Sequence, residues 1–278
     1  MAGPISETTI DVDGVEVFVR RTGGTGAPTV FAHGNPTHSG QWVPFLERVE
    51  RPGIAIDMPG FGRSARPSPR RFDYSMHGQA RFFGRALNRL GVERYALVVQ
   101  DWGGLALIDA IGHPGRVDRL VLIDAVPLLP GYRWHWIARY FWRVPGLGEF
   151  FNLATTKPAL RLISRQSNAR PGPVPEEFID MVWEPWRRRR SAWRPMLRLY
   201  RSADPEALAA AGAGLGDLDC PALVVWGAHD PYIPVRFGRM YAERLPNAEL
   251  VELSDAGHWP WIDRPDVIDR VARFVDGG

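Results

Sequence analysis

Val98-Val99-Gln100-Asp101-Trp102-Gly103-Gly104 is the stretch from which the rest of the sequence is best interpreted. Its apolar first half predicts a buried strand, and its two glycines predict a tight turn that leads into a helix over residues 105–111. The N-terminus of that helix would stabilise negative charge on the residue at the turn, which is Asp101. A carboxylate needs no deprotonation before it attacks, and it suits displacement at a saturated carbon. We therefore predict that Asp101 is a nucleophile, the alternative being that it caps the helix.

Short apolar runs that alternate with helical patterns extend on both sides of this stretch. Two runs of alternating polarity, residues 8–12 and 15–20, flank Asp13-Gly14 and predict a β-hairpin. Further strands are predicted over residues 29–32, 53–56, 96–100, 120–123, 222–226 and 249–253, and helices over residues 79–90, 105–111, 237–245 and 267–274. This alternation predicts an α/β fold, a mostly parallel eight-stranded sheet with helices on both faces. Ligands of such sheets bind at the carboxyl ends of the strands.

The alternation stops over residues 128–217, where helical spacing continues without a convincing strand. The stretch holds six of the eleven tryptophans, Trp134, Trp136, Trp142, Trp183, Trp186 and Trp193. Because it follows the sixth predicted strand, we expect a helical lid inserted over the carboxyl edge of the sheet. Some of the tryptophans would line a dry cavity and others would pack the lid onto the core. The core domain would then consist of residues 1–127 and 218–278.

Two later strand ends supply the partners that an aspartate nucleophile needs. Asp230 follows the seventh predicted strand, and His258 follows the eighth. We predict that His258 is the general base for water and that Asp230 orients it. Asp124, at the end of the sixth predicted strand, is a rival for the role of this acid.

The turn His33-Gly34-Asn35-Pro36-Thr37 follows the third predicted strand and supplies candidate binding groups. It can aim the backbone N–H of Asn35, together with that of Trp102, at an oxyanion beside Asp101. The Asn35 amide and the Trp102 indole would then face the cavity, where they suit a halide or an alkoxide. We assign Asn35, Trp102 and His33 as candidate oxyanion-, halide- or substrate-binding residues, the alternative being that the turn has only a conformational role.

Composition and charge exclude several classes of protein. Of the 278 residues, 45% are hydrophobic and 23% are charged, which is typical of a globular chain and excludes disordered and coiled-coil classes. The net charge is +3, and the one dense basic run, residues 187–190, is typical of a solvated helix face, so we expect no nucleic-acid partner. The single cysteine, Cys220, excludes an intrachain disulfide. Without a targeting segment, a long apolar run or a cluster of metal ligands, we expect a cytoplasmic protein with no membrane partner, metal or cofactor.

Five motifs together resemble the α/β-hydrolase superfamily over nearly the whole chain. They are His33-Gly34-Asn35-Pro36, Asp57-Met58-Pro59-Gly60-Phe61-Gly62-Arg63-Ser64, Gln100-Asp101-Trp102-Gly103-Gly104, residues 227–230 and Gly257-His258. Within this superfamily the chain is similar to the branch with an aspartate nucleophile, which contains epoxide hydrolases and haloalkane dehalogenases. The resemblance implies an alkyl-enzyme ester on Asp101, which water activated by His258 then hydrolyses.

Two features of the resemblance separate these activities. Asn35 with Trp102 resembles the halide-binding pair of many haloalkane dehalogenases. Tyr200, followed by an arginine, instead resembles the lid tyrosine of epoxide hydrolases, whose phenol donates a proton to the opening ring. Those enzymes generally use two lid tyrosines, and the second would be Tyr140 or, as the alternative, Tyr132. We therefore predict a hydrolase that opens small apolar epoxides to vicinal diols, with haloalkane dehalogenation as the alternative, acting as a monomer or homodimer.

Overall fold

The chain folds around one eight-stranded sheet. The structure is a computed structural model that describes residues 3–169, 174–188 and 192–277, with Arg188 described by its backbone alone. The strands are β1 Ser6–Val12, β2 Val15–Arg21, β3 Thr29–Ala32, β4 Gly53–Ile56, β5 Tyr95–Asp101, β6 Val117–Ala125, β7 Ala222–Gly227 and β8 Ala248–Leu253. Their order is β1-β2-β4-β3-β5-β6-β7-β8, in which β2 pairs antiparallel with β1 and β4 and all other neighbours are parallel. The predicted mostly parallel sheet is confirmed.

Helices cover both faces of this sheet. The α-helices are α1 Val43–Leu46, α2 Met76–Arg89, α3 Ala106–Gly112, α4 Leu147–Ala154, α5 Lys157–Ser164, α6 Glu176–Arg188, α7 Trp193–Ser202, α8 Pro205–Ala211, α9 Arg236–Arg244, α10 Pro260–Asp263 and α11 Asp266–Asp276. Leu97 and Val99 of β5 pack with α2, α3 and α9, whereas Ala96 and Val98 pack with α1, α10 and α11. Successive side chains of a strand point to opposite faces, so β5 contributes to two hydrophobic clusters and is buried along its whole length.

The hairpin at the start of the chain follows from its turn residues. Asp13 and Gly14 adopt positive φ values of 53° and 79° between β1 and β2. Positive φ at both central residues is what a two-residue turn of type I′ requires, and Asp-Gly suits it. Each of the two strands extends one or two residues beyond its predicted end, because pairing in the sheet continues past the apolar pattern.

Helices α4 to α8 lie between β6 and β7, and the described residues of this segment contain no strand. We propose that residues 128–217, called the lid below, form one unit inserted between the core parts 1–127 and 218–278. Arg201 of α7 holds the carboxylate of Glu149 of α4 at 2.7 and 2.8 Å, which ties two lid helices together. Most of the predicted basic run lies outside the described side chains. None of the helices in the described ranges is long and apolar enough to cross a membrane.

Candidate active site

Asp101 stands on a strained turn between β5 and a short 3-10 helix, Trp102–Leu105. Its φ and ψ are 49° and −124°, a backbone conformation that residues other than glycine rarely adopt. The turn is close to the neighbouring strand, since a Cβ atom on Gly103 would lie 2.0 Å from the backbone oxygen of Ala32. Gly103 is therefore required by this close approach, and the tight turn presents the Asp101 side chain at the carboxyl edge of the sheet.

The two carboxylate oxygens of Asp101 have different surroundings. Oδ1 accepts the backbone N–H of Asn35 at 2.7 Å, whereas Oδ2 lies 3.7 Å from Nε2 of His258. Burial raises the pKa of Asp101 above its usual value, and the charge of His258 and the N–H groups of Asn35 and Trp102 offset part of that effect. Oδ1 is thus fixed, and Oδ2 is the oxygen available for attack.

His258 is held between two acidic side chains. Its Nδ1 donates to Oδ2 of Asp230 at 2.7 Å, and Oδ1 of Asp230 accepts the backbone N–H groups of Tyr232 and Ile233 at 2.7 and 3.0 Å. Burial lowers the pKa of His258, but Asp230 and Asp101 outweigh it and raise that pKa above 6.5. With Nδ1 as the donor, Nε2 of the neutral ring carries the lone pair that a base needs.

Asp124 does not lie where an acid that orients His258 would have to lie. Asp230, not Asp124, contacts the imidazole of His258. Asp124 is fully buried, and its Oδ1 accepts the backbone N–H of Gly227 at 3.1 Å. Burial and the neighbouring Asp230 raise its pKa well above the usual value.

Three polar side chains of the cavity meet at one point. Nδ2 of Asn35 lies 3.4 Å from the hydroxyl oxygen of Tyr200 and donates to it, and the indole N–H of Trp102 donates to the same hydroxyl. Burial and the charge of Asp101 raise the pKa of Tyr200 above 10, while these two donors lower it in part. Tyr200 is therefore a neutral phenol. Its hydroxyl oxygen accepts from Asn35 and Trp102, and these two bonds do not use its own proton.

Tryptophans fix the ring of Tyr200. Its centroid lies 4.8, 5.5 and 4.9 Å from those of Trp102, Trp134 and Trp142. Of the six predicted lid tryptophans, Trp142 and Trp186 line the cavity with Asp101, whereas Trp136 is 49% exposed. The lid tryptophans thus divide into some that line the cavity and others that pack elsewhere.

Two predicted site residues lie elsewhere and are corrected here. The side chain of Tyr140 is 55% exposed and does not line the cavity, while Tyr132 is buried and does. Tyr140 as the second lid tyrosine is wrong, because it lies on the outer side of the turn formed by residues 138–142. His33 uses both ring nitrogens on backbone groups, donating to the oxygen of Gly34 at 2.7 Å and accepting from the N–H of Met58 at 3.1 Å. Its assignment to substrate binding is replaced by a structural one.

Three residues of the site were missed by the sequence analysis. Nε2 of Gln100 lies 3.1 Å from Nε2 of His258 and donates to it. Tyr232 packs its ring 4.9 Å from that of His258, and its hydroxyl bonds Ser167 at 2.9 Å. His135 also lines the cavity, and burial lowers its pKa to about 4. The position of Tyr232, two residues after Asp230, was the one signal that could have found it.

The cavity itself is small and mostly apolar, with a volume of about 90 Å³. Its polar groups are concentrated around Asp101, His258 and the point shared by Asn35, Trp102 and Tyr200. A nucleophile, a base with its orienting acid, and two N–H donors therefore face one enclosed space, an arrangement that suits displacement at carbon followed by hydrolysis.

Comparison with known proteins agrees with this geometry. Residues 28–265 match the model of a family described by the alpha/beta hydrolase fold. The chain belongs to the α/β-hydrolase fold family. It is 30% identical over 273 residues to a 2-hydroxymuconate semialdehyde hydrolase of Pseudomonas putida, a match that covers 91% of this chain and 87% of the relative.

Haloalkane dehalogenases are prominent among the other relatives of this α/β-hydrolase. It is 28% identical over 296 residues to one from Bradyrhizobium diazoefficiens, covering 95% of this chain and 92% of the relative. The crystal structure of haloalkane dehalogenase DbeA from Bradyrhizobium elkani superposes with a TM-score of 0.83 at 28% identity, covering 99% and 98% of the two chains. The predicted aspartate-nucleophile branch is confirmed, and these relatives favour dehalogenation over the epoxide hydrolysis that we expected first.

Proposed function

We propose that this hydrolase is a haloalkane dehalogenase that converts small haloalkanes to alcohols and halide ions. The observation that carries the proposal is the convergence of the Asn35 amide and the Trp102 indole beside the buried Asp101 carboxylate. Two fixed N–H donors in an apolar cavity stabilise an anion that develops as a bond to carbon breaks. The dehalogenase relatives, which span nearly the whole chain, support the same choice.

In the first step Oδ2 of Asp101 attacks the carbon that bears the halogen. The new C–O bond forms as the C–halogen bond breaks, and the bonding pair leaves with the halide toward Asn35 and Trp102. The product is an alkyl ester of Asp101. The hydrogen bond from the Asn35 backbone keeps Oδ1 out of this reaction.

In the second step His258 takes a proton from water, whose oxygen attacks the ester carbon of Asp101. The oxyanion forms on Oδ1, to which the backbone N–H of Asn35 already donates. Collapse of this intermediate breaks the bond between the ester carbon and Oδ2, and the departing oxygen takes the proton that His258 holds, which releases the alcohol. The Asp101 carboxyl group then loses the second proton of the water to solvent. Asp230 stabilises the imidazolium that His258 becomes.

The cavity volume limits the substrate. The volume of about 90 Å³ admits a small molecule and excludes a bulky one. With Tyr232, Trp142 and the other lining aromatic rings in place, the closed cavity suits substrates of a few carbon atoms. Longer substrates require the lid to move.

A second activity, epoxide hydrolysis, is favoured by one specific observation, the position of Tyr200. Its hydroxyl oxygen accepts from Asn35 and Trp102, which makes its own proton easier to donate than that of an isolated buried phenol. An epoxide oxygen placed next to that hydroxyl would receive its proton as the ring opens, whereas a halide needs no proton.

A size-matched pair of substrates tests both activities. The purified protein is incubated separately with 1-bromobutane and 1,2-epoxybutane, and bromide, butanol and butanediol are measured, with Asp101→Asn as the blank. Bromide and butanol that depend on Asp101 are the expected result. Diol without bromide would replace the proposal by epoxide hydrolysis, and the absence of both products would overturn both activities.

A further inference from the structure

Three buried carboxyl groups, those of Asp101, Asp124 and Asp230, lie near one another. Their residues are 6%, 0% and 8% exposed. The side chain that can carry a positive charge beside them is His258, which lies 3.7 Å from Asp101 and 2.7 Å from Asp230. One positive charge cannot balance three negative ones in a dry site, so at least one of these carboxyls holds a proton.

The hydrogen bonds identify which carboxyl holds it. Asp230 accepts two backbone N–H groups and the imidazole N–H, and Asp101 accepts the N–H groups of Asn35 and Trp102. Asp124 accepts from the single N–H of Gly227, at 3.1 Å to one oxygen and 3.4 Å to the other. Of the three, Asp124 has the fewest donors and is the most buried, so its charged form is the least stabilised.

Asp124 also faces Asp230, because its carboxyl group accepts the N–H of Gly227 and the N–H of Asp230 donates to the oxygen of the same Gly227. The charge of Asp230 raises the pKa of Asp124, and two facing carboxyl groups can share a hydrogen bond only if one of them supplies a proton. The backbone brings them together, because Gln100 pairs with Ile123 but Asp101 pairs with Ala125. This bulge leaves Asp124 unpaired with a φ of 40°, and directs its side chain toward β7 and Gly227.

Among the described residues, the groups that face this pair supply no positive charge besides that of His258. Asp230 and Asp101 face Asp124 from the ends of β7 and β5. His135 of the lid faces Asp230, and because burial lowers its pKa to about 4 it is neutral near pH 7. Tyr132 of the lid faces Asp101 and Asp230, and burial keeps it a neutral phenol, with its pKa well above 10.

We propose that Asp124 is a protonated carboxylic acid that donates a hydrogen bond to Asp230 and so positions the Asp230–His258 pair for ester hydrolysis. The donated proton holds the Asp230 carboxylate in place and withdraws part of its negative charge. His258 is thereby oriented by Asp230 without being made too basic to release its proton after each turnover. The proposed role rests on the proposed function for its effect on rate, but the location of the proton does not.

Infrared spectroscopy tests the proton without any substrate. At pH 8 the wild-type protein is expected to show the C=O band of a protonated carboxyl group that disappears in Asp124→Asn and persists in Asp101→Asn. The Asn side chain keeps an N–H donor for Asp230, an oxygen for Gly227, and tolerance of positive φ. Absence of the band from the wild type, or its survival in Asp124→Asn, would overturn the proposal.

Rates and pH profiles test the positioning role. Asp124→Ala is expected to slow ester hydrolysis about tenfold and to move its acid limb to higher pH, because Asp230 loses a charge-assisted hydrogen bond. Asp124→Asn is expected to restore both toward wild type. If Asp124 were instead ionised, Asp124→Asn would remove a negative charge and move the acid limb to lower pH, which contradicts the proposal. If the Ala variant does not fold, the Asn variant and the infrared band still show whether Asp124 holds the proton. A failure of the proposed function would appear separately, as absence of turnover in the wild type.

Discussion

The hydroxyl oxygen of Tyr200 lies 3.4 Å from the side-chain nitrogen of Asn35, so a residue of the lid occupies the hydrogen-bonding point that the core offers to a leaving group. Tyr200→Phe is expected to lower turnover of 1,2-epoxybutane about tenfold or more, the usual scale of a general acid. Bromide release from 1-bromobutane is expected to be retained, because Asn35 and Trp102 remain. Product analysis of both reactions measures the difference.

The matched control for this variant is Tyr95→Phe. Tyr95 begins β5 at the end of the strand opposite to Asp101, and its buried hydroxyl has no partner among the described residues. Both turnovers are expected to stay at the wild-type level in this control. Equal loss of both activities in Tyr200→Phe would show that the hydroxyl shapes the cavity and does not act as an acid.

His258→Gln is expected to form the ester and fail to hydrolyse it. The variant leaves Oδ2 of Asp101 free to attack but removes the base that takes a proton from water. Intact-mass spectrometry after incubation with 1-bromobutane should show one butyl group added to the protein. Asp101→Asn with the same substrate should keep its unmodified mass, and an unmodified mass for His258→Gln with a proven substrate would contradict the role of His258.

The two chemical steps are expected to depend differently on pH. Ester hydrolysis needs neutral His258, whose pKa is raised above 6.5 mainly by Asp230, so hydrolysis slows as the pH falls through that raised pKa. Ester formation needs ionised Asp101 but does not need neutral His258. The charge of protonated His258 lowers the pKa of Asp101, so we expect ester formation to persist at pH values at which hydrolysis has slowed. Single-turnover measurements separate the two steps. A common acid limb below pH 6.5 for both would contradict this assignment.

Gly103→Ala is expected to destabilise the protein severely. Its new Cβ would lie 2.0 Å from the backbone oxygen of Ala32, so the tight turn at Asp101 or β3 must shift. We expect a loss of about 3 kcal/mol or more in the free energy of unfolding, measured with urea. Gly112→Ala, at the exposed end of α3 with nothing within 4 Å of the new atom, should change that energy by about 1 kcal/mol or less, toward higher stability. Equal stabilities for the two variants would contradict the close approach at Gly103.

The local sequence pattern was sufficient to predict the sheet and the tight turn at Asp101. The strands β3, β4, β5 and β7 are buried along their whole length because both faces of the sheet are covered there, and a run such as Val98-Val99 has few alternatives to burial. The partners Asp230 and His258 follow directly after such strands, so the parallel topology brings them to the same edge as Asp101. Residues fixed to the ends of strands could therefore be predicted from the sequence.

The lid could not be predicted at the same level, because its docking depends on contacts between distant segments. The sequence pattern favoured Tyr140 over Tyr132, and only the packing of the lid shows that Tyr140 is exposed and Tyr132 is buried. Gln100 was missed because a residue beside the nucleophile is normally taken as part of the strand, and its bond to His258 joins residues 158 positions apart. The assignment of His33 to binding failed because the hydrogen bond from the N–H of Met58 to its ring joins residues 25 positions apart, which no local pattern shows.

The fixed orientation of the Asp101 carboxylate has an isotopic consequence. If Oδ1 stays on the Asn35 N–H while Oδ2 leaves with the alcohol, the oxygen of each attacking water becomes the next Oδ2. Each product molecule then carries the oxygen of the water consumed one turnover earlier, and the first one made in heavy-oxygen water carries an unlabelled atom from the enzyme itself. The enzyme therefore replaces one carboxylate oxygen of Asp101 in every cycle, and the oxygen that it holds at rest comes from the water used in the preceding turnover.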